Sequence, residues 1–296
     1  MGIGTSYQVG GSNADPILDC PLCGGPVRNQ ACDRCFAPRE VVSSILGRSA
    51  RPRCVGVLGP SGVGKTVYLG VLLDLLARST GGLHGMARGP FSLMVQRQVM
   101  LALEQQRFPG KTPVEPDRWQ WVHCEVSTGR RGAHFDLITP DVAGEAVASE
   151  LESPGTNPTV RALIARCSGL AALVDTLALS AGGQGQEIFA MQLVTYLDAL
   201  HGSGRRKLDI PVALIFTKTD LCDEAIDDPE AFARAHASAL WRMCEARLRH
   251  FRFFRSSVAG ACGCLVDREG GETLVPLRVE PRGIVEPFAW LSDRLR

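Results

Sequence analysis

The sequence predicts an α/β fold: a three-layer sandwich in which helices cover both faces of a mostly parallel sheet with one antiparallel edge strand. Two observations lead to this prediction. From residue 53 onward, short apolar runs such as 169–174 and 212–216 alternate with longer helical patterns, as in sheets whose parallel strands are joined by crossover helices. Two C-x2-C pairs stand before this body, and such pairs are typical of a small module closed by one metal ion.

Composition and charge narrow the class of protein. A chain of 296 residues suffices for one large core and a small appendage, and the net charge of +1 argues against nucleic acid or an anionic membrane as a partner. No apolar run approaches the roughly 20 residues that span a bilayer, and the N-terminus lacks a secretory pattern. Only four of the 32 basic residues are lysines, which indicates a GC-rich, bacterial genome. We therefore expect a cytoplasmic protein with reduced cysteines.

Four cysteines near the front predict a structural zinc site. They are Cys20, Cys23, Cys32 and Cys35. Each C-x2-C pair places two thiolates at neighbouring corners of a tetrahedron, so the four together leave no open position on Zn²⁺. Residues 16–40 are therefore predicted to be a zinc ribbon that takes its folding energy from the metal, separately from the core of the next domain. Residues 1–15, rich in Gly, Ser and Asn, are predicted to be mobile.

A glycine-rich loop at the start of the main body predicts a phosphate site. It lies between the apolar run 54–58 and a long apolar helix, 67–78, which is the strand, G-x-x-x-x-G-K-[ST], helix arrangement of a P-loop. The glycines let successive N–H groups face phosphates, and the helix N-terminus adds partial positive charge. Lys65 is predicted to reach the β- and γ-phosphates and Thr66 to hold Mg²⁺. The predicted nucleotide-binding residues here are Gly59, Pro60, Ser61, Gly62, Val63, Gly64, Lys65 and Thr66.

The other elements follow from apolar periodicity and turn residues. In chain order they are a helix at 91–106, an antiparallel hairpin of 119–126 with 134–138, a helix at 186–200, one helix from the Asp228 cap to about residue 250, a strand at 253–257, a loop holding Cys262 and Cys264, a strand pair over 273–279, and a closing helix begun by Glu286 and Pro287. Residues 79–118 are longer than a minimal phosphate-sensing loop requires, and they are predicted to be an insertion.

A D-x-x-G pattern follows the predicted hairpin. Asp141 comes directly after a strand, where its carboxylate is predicted to hold Mg²⁺ through water. The N–H of Gly144 is predicted to bond the γ-phosphate, so this loop would sense whether that phosphate is present. The pattern is common by chance, and its weight comes from its position after the P-loop.

The segment T-K-T-D after the strand 212–216 predicts which base is bound. Thr217, Lys218 and Asp220 match the [NT]-K-x-D signature. The Asp220 carboxylate can accept hydrogen bonds from both the ring N1–H and the amine of guanine, whereas adenine offers the wrong donor pattern. The stem of Lys218 can lie along the base. Ser257, in a loop loosely resembling S-A-[KL], is predicted to lie where a backbone N–H meets guanine O6.

A threonine between the P-loop and the hairpin is needed to complete the Mg²⁺ site. Thr112, in the proline-flanked loop 110–113, is the better-placed candidate. Thr128, in the hairpin turn, is the alternative.

Together these motifs resemble the translation-factor-related P-loop GTPases over residues 53–258, and more narrowly the bacterial double-GTPase group, to which the tail 283–291 adds a G-x-x-E-P-x-x-W-L pattern. The resemblance implies a GTPase domain over 53–296 that binds GTP and GDP with Mg²⁺ and signals to an effector or activating protein in a signalling or conflict system. It implies catalytic roles for Lys65, Thr112, Gly144 and Glu145. The last departs from the family, where many members have a water-orienting glutamine.

Three alternatives remain at this point. Thr217–Asp220 could be fortuitous, which would leave a P-loop ATPase. Glu145 could mark lost catalysis, which would leave a nucleotide-binding scaffold without hydrolysis. The zinc ribbon could read nucleic acid under nucleotide control, although no basic stripe with interleaved aromatics accompanies it.

Overall fold

The computed structural model describes residues 17–47, 53–128, 134–202, 206–222, 227–266 and 270–295. The segment 1–15, predicted to be mobile, and the turn residues 129–132 of the predicted hairpin lie outside these ranges.

A small cysteine-rich module precedes the main body. Strand β1 (Leu18–Asp19) pairs antiparallel with β2 (Pro26–Val27), and helix α1 (Arg39–Leu46) follows. Two-residue strands cannot bury a core of their own, so the module depends on its cysteines and on what α1 packs against. Three residues of α1 are buried: Val41, Val42 and Ile45.

A seven-stranded sheet forms the centre of the main body. Its strands are β3 (Cys54–Leu58), β4 (Leu83–Ala87), β5 (Trp121–Thr128), β6 (His134–Pro140), β7 (Cys167–Asp175), β8 (Val212–Thr217) and β9 (Phe251–Arg255). Their order in the sheet is β4-β5-β6-β3-β7-β8-β9. The five strands from β6 to β9 are mutually parallel, and β5 pairs antiparallel with β6. The predicted mostly parallel sheet with an antiparallel edge is confirmed.

The outermost strand on that side, β4, was not predicted. It lies inside the predicted insertion and pairs antiparallel with β5. Its short run alternates buried Leu83 and Gly85 with exposed His84 and Met86, which is the period-two signal of a strand. Gly85 weakens that signal in the sequence. This position nevertheless requires glycine, because a Cβ there would come within 2.6 Å of the Leu76 side chain.

Helices cover both faces of the sheet, as predicted. They are α2 (Lys65–Ala77), α3 (Pro90–Glu104), α4 (Gly144–Glu152), α5 (Pro158–Arg166), α6 (Thr176–Ser180), α7 (Gln184–His201), α8 (Pro229–His236), α9 (Ser238–Arg247) and α10 (Glu286–Ser292). Strand residues alternate between the two cores. Val57 packs with α2, α3 and α10 on one face, and Leu58 packs with α4, α5, α7, α8 and α9 on the other.

The single helix predicted from Asp228 to about residue 250 is wrong, because it is two helices. Asp228 does cap the first, with its carboxylate accepting from the N–H groups of Glu230 and Ala231. The break is at Ala237, whose φ of −142° and ψ of 51° are not helical. Phe232 and Leu240, on either side of it, both reach the same core, which the bend permits.

The segment after β9 is a hairpin. Strand β10 (Ser257–Val266) pairs antiparallel with β11 (Glu272–Arg282). The prediction gave strand character only to residues 273–279 and put Cys262 and Cys264 in a loop. Both cysteines instead lie in β10, opposite Pro276 and Leu274.

Within the described ranges, no helix is both long and apolar enough to cross a membrane.

Candidate functional site

The glycine-rich loop has the backbone form that the P-loop motif requires. Gly62 and Gly64 have φ values of 73° and 93°, a region that side-chain-bearing residues avoid. Gly64 is the N-cap of α2, so the loop opens directly onto a helix N-terminus. Thr217 fixes the loop from behind, since its hydroxyl donates to the carbonyl of Val63 at 2.9 Å. The glycine-rich loop and the segment Thr217–Asp220 are therefore physically joined.

Lys65 is held by the loop itself. Its Nζ donates to the carbonyls of Gly59 at 3.0 Å and Pro60 at 2.9 Å, and only 7 % of the residue is exposed. Burial lowers the pKa of Lys65 to about 8, while the nearby carboxylates of Asp141 and Glu145 oppose that shift. A phosphate bound beside this amine would favour its protonated form and so restore its full positive charge.

Three oxygen-bearing side chains meet beside Lys65. The hydroxyls of Thr66 and Thr112 lie 3.0 Å apart, and the Thr66 hydroxyl donates to Asp141 at 2.8 Å. Thr112 lies 3.2 Å from the same carboxylate. Burial raises the pKa of Asp141, and the hydrogen bond from Thr66 opposes the rise. Two hydroxyls and a carboxylate are the hard oxygen ligands that Mg²⁺ prefers, and these three could hold it.

Of the two candidate threonines, Thr112 lies within hydrogen-bond distance of Thr66 and Asp141. Thr128 ends β5, opposite Leu83 of β4, and its strand position keeps it in the sheet. Thr112 lies in the loop between α3 and β5. The indole N–H of Trp119 donates to the carbonyl of Pro113 at 2.9 Å, which anchors the loop one residue after Thr112.

Gly144 packs directly against the glycine-rich loop. A Cβ at this position would lie 2.0 Å from the amide nitrogen of Ser61, so no other residue fits. Glu145 accepts a hydrogen bond from the Ser61 hydroxyl at 2.6 Å. That bond is the main cause of the lowered pKa of Glu145, and the positive charges of Lys111 and Lys65 add to it. The exposed carboxylate is ionised at neutral pH.

Asp220 and Lys218 stand at the other end of the same site. Lys218 forms an ion pair with Asp175 at 2.5 Å, and the Asp175 carboxylate also caps α6. Burial raises the pKa of Asp220. Ser257 is buried at the start of β10, and its neighbour Ser256 accepts from the N–H of Thr219 at 3.3 Å.

A single cavity of about 300 Å³ joins these groups. Most of the predicted site residues line it: Ser61, Gly62, Val63, Gly64, Lys65, Thr66, Thr112, Gly144, Glu145, Thr217, Lys218, Asp220 and Ser257. Gly59, Pro60 and Asp141 do not line it. The first two lie behind Lys65 as its carbonyl partners, and Asp141 reaches the site through Thr66 and Thr112.

Sequence reasoning missed several further lining residues, among them Phe108, Lys111, Cys262 and Leu274. The thiol of Cys262 lies 3.8 Å from the Asp220 carboxylate. No local signal marks Cys262 or Leu274, because the β10–β11 hairpin brings them to the cavity. Lys111 had a signal, since it stands beside Thr112 in a chain with only four lysines.

The four cysteines near the front of the chain lie close together and form the second candidate site. All four sulfurs lie within 4.8 Å of one another, with Cys20 to Cys35 at 3.6 Å and Cys23 to Cys32 at 3.4 Å. Zinc–sulfur bonds of about 2.3 Å give sulfur separations of about 3.8 Å in a tetrahedron. The donor set fits Zn²⁺ in a closed, structural site.

The cysteine module packs on the main body, whereas the sequence predicted separate sources of stability for the two parts. It shares one apolar cluster with Cys54, Trp121, Ile138 and Ala162 of the body. Two hydrogen bonds from α5 reinforce the contact. Thr159 donates to the Cys35 carbonyl at 3.0 Å, and Arg166 donates to the Leu22 carbonyl at 3.2 Å.

Comparison with known proteins gives one family match. The model of the family described as Double-GTPase 2 matches residues 53–267. No curated protein matches the chain.

Among solved structures, the chain is similar to the complex of the signal recognition particle receptor SRb-GTP with SRX from Chaetomium thermophilum, at 15% identity and a TM-score of 0.37, over 72% of this chain and 93% of that chain. It is also similar to the GTP-bound GTPase-like domain of Ski7 from S. cerevisiae, at 14% identity and a TM-score of 0.42, over 82% of this chain and 50% of that chain. Likenesses this low carry no argument about function.

Proposed function

The chain belongs to the Double-GTPase 2 family, whose model covers residues 53–267, and on that premise we propose that it is a guanine-nucleotide switch that hydrolyses GTP to GDP and phosphate. One observation carries the proposal. The side chains of Thr66, Thr112 and Asp141 converge beside Lys65, and the same cavity extends to Asp220.

The end of the cavity next to the glycine-rich loop would hold the phosphates and Mg²⁺. Lys65 leaves the carbonyls of Gly59 and Pro60 for the β- and γ-phosphates, which satisfies its charge better than two neutral acceptors do. Thr66 and Thr112 and, through water, Asp141 would hold Mg²⁺, which would neutralise charge on the phosphates. The existing contacts among these three side chains support a site that needs little rearrangement.

Guanine occupies the end of the cavity at Asp220. Its carboxylate accepts from the N1–H and the amine, and its half-buried position makes an unmatched donor costly. A backbone N–H at Ser257 meets the carbonyl O6. Adenine would not require such a pair of acceptors, and family membership favours GTP over ATP as the bound nucleotide.

Hydrolysis proceeds by in-line attack of water on the γ-phosphate, with Glu145 beside that water. A carboxylate next to a triphosphate repels it, so the intrinsic rate is low and a partner protein raises it. The output is the conformation of residues 108–118 and 142–157, which an effector reads. Loss of catalysis at Glu145 is the alternative, and it would make the chain a permanently loaded scaffold.

The setting that we propose is the cytoplasm of a bacterium, in a signalling or conflict system. The double-GTPase resemblance and the lysine-poor, arginine-rich composition support it. The ribbon, with Zn²⁺ on its four cysteines, acts as a packing module and not as a nucleic-acid reader, since it is docked on α5.

Asp220→Asn tests the base assignment. The asparagine amide offers one acceptor and one donor, so the guanine amine loses its partner, whereas the carbonyl that xanthine carries in its place gains one. We expect GTP affinity to fall about 5- to 150-fold, as one mismatched buried polar pair implies, and XTP affinity to rise above it. Competition binding with GTP, XTP and ATP measures both.

The exposed Asp293 provides the matched control, because Asp293→Asn makes the same chemical change outside the cavity and should alter no affinity. A wild-type preference for ATP, or an unchanged preference in the Asp220 variant, would contradict the assignment.

A further inference from the structure

Lys111 is the cavity residue with a full charge and no role in the proposed switch. It lines the same cavity as Lys65 and Glu145. Resting on the proposed function, we infer that Lys111 is a further catalytic residue. Its ammonium contacts the terminal phosphate of GTP and offsets the negative charge of Glu145 at that position.

The placement of Lys111 is fixed by its neighbours. Thr112, the next residue, has its hydroxyl 3.0 Å from that of Thr66 and 3.2 Å from Asp141. The indole N–H of Trp119 donates to the carbonyl of Pro113 at 2.9 Å, which anchors the loop on its other side. Since position 111 is next to Thr112 and lines the cavity together with Lys65 and Thr66, its side chain starts at the phosphate end of the cavity.

The charges around the cavity favour this role. In the proposed switch Lys65 leaves its loop carbonyls for the β- and γ-phosphates, and Lys218 is paired with Asp175. Lys111 is exposed, and among the described residues none forms an ion pair with it. Its charge does act on Glu145, where it helps to lower the carboxyl pKa below its usual range. It is therefore a second cation, beside Lys65, at the cavity end where Glu145 lies.

Phosphoryl transfer builds up negative charge that a cation at this position would stabilise. Water forms a bond to the γ-phosphorus, the bond from that phosphorus to the bridging oxygen breaks, and its electron pair stays on the β-phosphate. The proton of the water passes to the released phosphate. A fixed cation facing the transferring group stabilises the charge that accumulates on its oxygens. It also reduces the repulsion from an ionised Glu145.

The experiment compares Lys111→Ala, Lys111→Arg and the wild type in two measurements. The first is the ratio of GTP to GDP affinity, which requires no hydrolysis. The second is the single-turnover rate constant for GTP. Lys111→Ala should lower the rate about 10- to 100-fold, as loss of one charged group at a transferring phosphate does. It should also lower GTP affinity more than GDP affinity, and Lys111→Arg should keep both close to wild type.

The same substitution in a Glu145→Gln background tests the pairing of the two charges. In that background Lys111→Ala should lower the single-turnover rate constant by a smaller factor, because position 145 no longer carries a negative charge for Lys111 to offset. Lys207, exposed and outside the cavity, supplies the control Lys207→Ala, which should change nothing.

An unchanged GTP-to-GDP affinity ratio, or a rate loss of equal size in both backgrounds, would overturn the inference. Wild-type protein that binds GTP without turnover would instead contradict the proposed hydrolysis, and the affinity ratio would still decide the role of Lys111.

Discussion

Removing the metal from the cysteine module should destabilise the nucleotide domain as well as the module. Cys35→Ser deletes one thiolate of the cluster, and the ribbon then loses its source of folding energy. The ribbon covers part of the cluster that contains Trp121, 2 % exposed, and Ile138, fully buried. Its unfolding would bring both side chains toward water.

The magnitude follows from these contacts. Burying a side chain of this size stabilises a protein by about 1.5–3 kcal/mol, and each hydrogen bond from Thr159 and Arg166 to the ribbon adds about 0.5–1.5 kcal/mol. Because exposure would be partial, we expect a loss of about 2–5 kcal/mol. At about 2–4 °C per kcal/mol for a domain of this size, the Tm of the nucleotide domain should fall by about 4–20 °C.

Differential scanning calorimetry with bound nucleotide measures the transition, and elemental analysis measures zinc. Stripping wild-type protein with a chelator should reproduce the shift and zinc should reverse it, which separates metal loss from a folding failure of the variant. Cys264→Ser, at an exposed cysteine, is the matched control and should leave the Tm unchanged. A zinc-free variant with an unaltered Tm would refute the coupling between module and domain.

Two further predictions concern the phosphate end of the site. Burial lowers the pKa of Lys65 to about 8 in the free protein, and the charged amine is the form that binds phosphate. Above pH 8 binding must therefore take up a proton, so the Kd for GTP should rise about tenfold from pH 7 to 9, whereas Lys65→Arg should show a flatter profile. Glu145→Gln keeps an acceptor for Ser61 and removes a charge beside the phosphate, so GTP affinity should change little and turnover should hold or rise. A fall in turnover of about 100-fold or more in a phosphate-release assay would show that the carboxylate acts as a base.

Local pattern determined most of the fold and the identity of the motifs. The glycine-rich loop, Asp141 to Glu145 and Thr217 to Asp220 each combine a short spacing with a neighbouring strand, and such signals are complete within a few residues. The strand directions follow from the same logic, because strands joined by helices are parallel and the hairpin 119–138 is antiparallel. The C-x2-C pairs likewise define a cluster by spacing alone.

Tertiary structure alone decided what comes together from distant parts of the chain. The choice of Thr112 rests on hydroxyl distances across 46 residues, and the docking of the ribbon on α5 rests on a bond that spans 124 residues. Cys262 and Leu274 reach the cavity only because β10 and β11 pair. The break at Ala237 and the strand β4 were missed because core packing there overrides weak local preference. Spacing in sequence specifies chemistry within one turn or loop, whereas the meeting of separate loops depends on how the sheet and its helices pack.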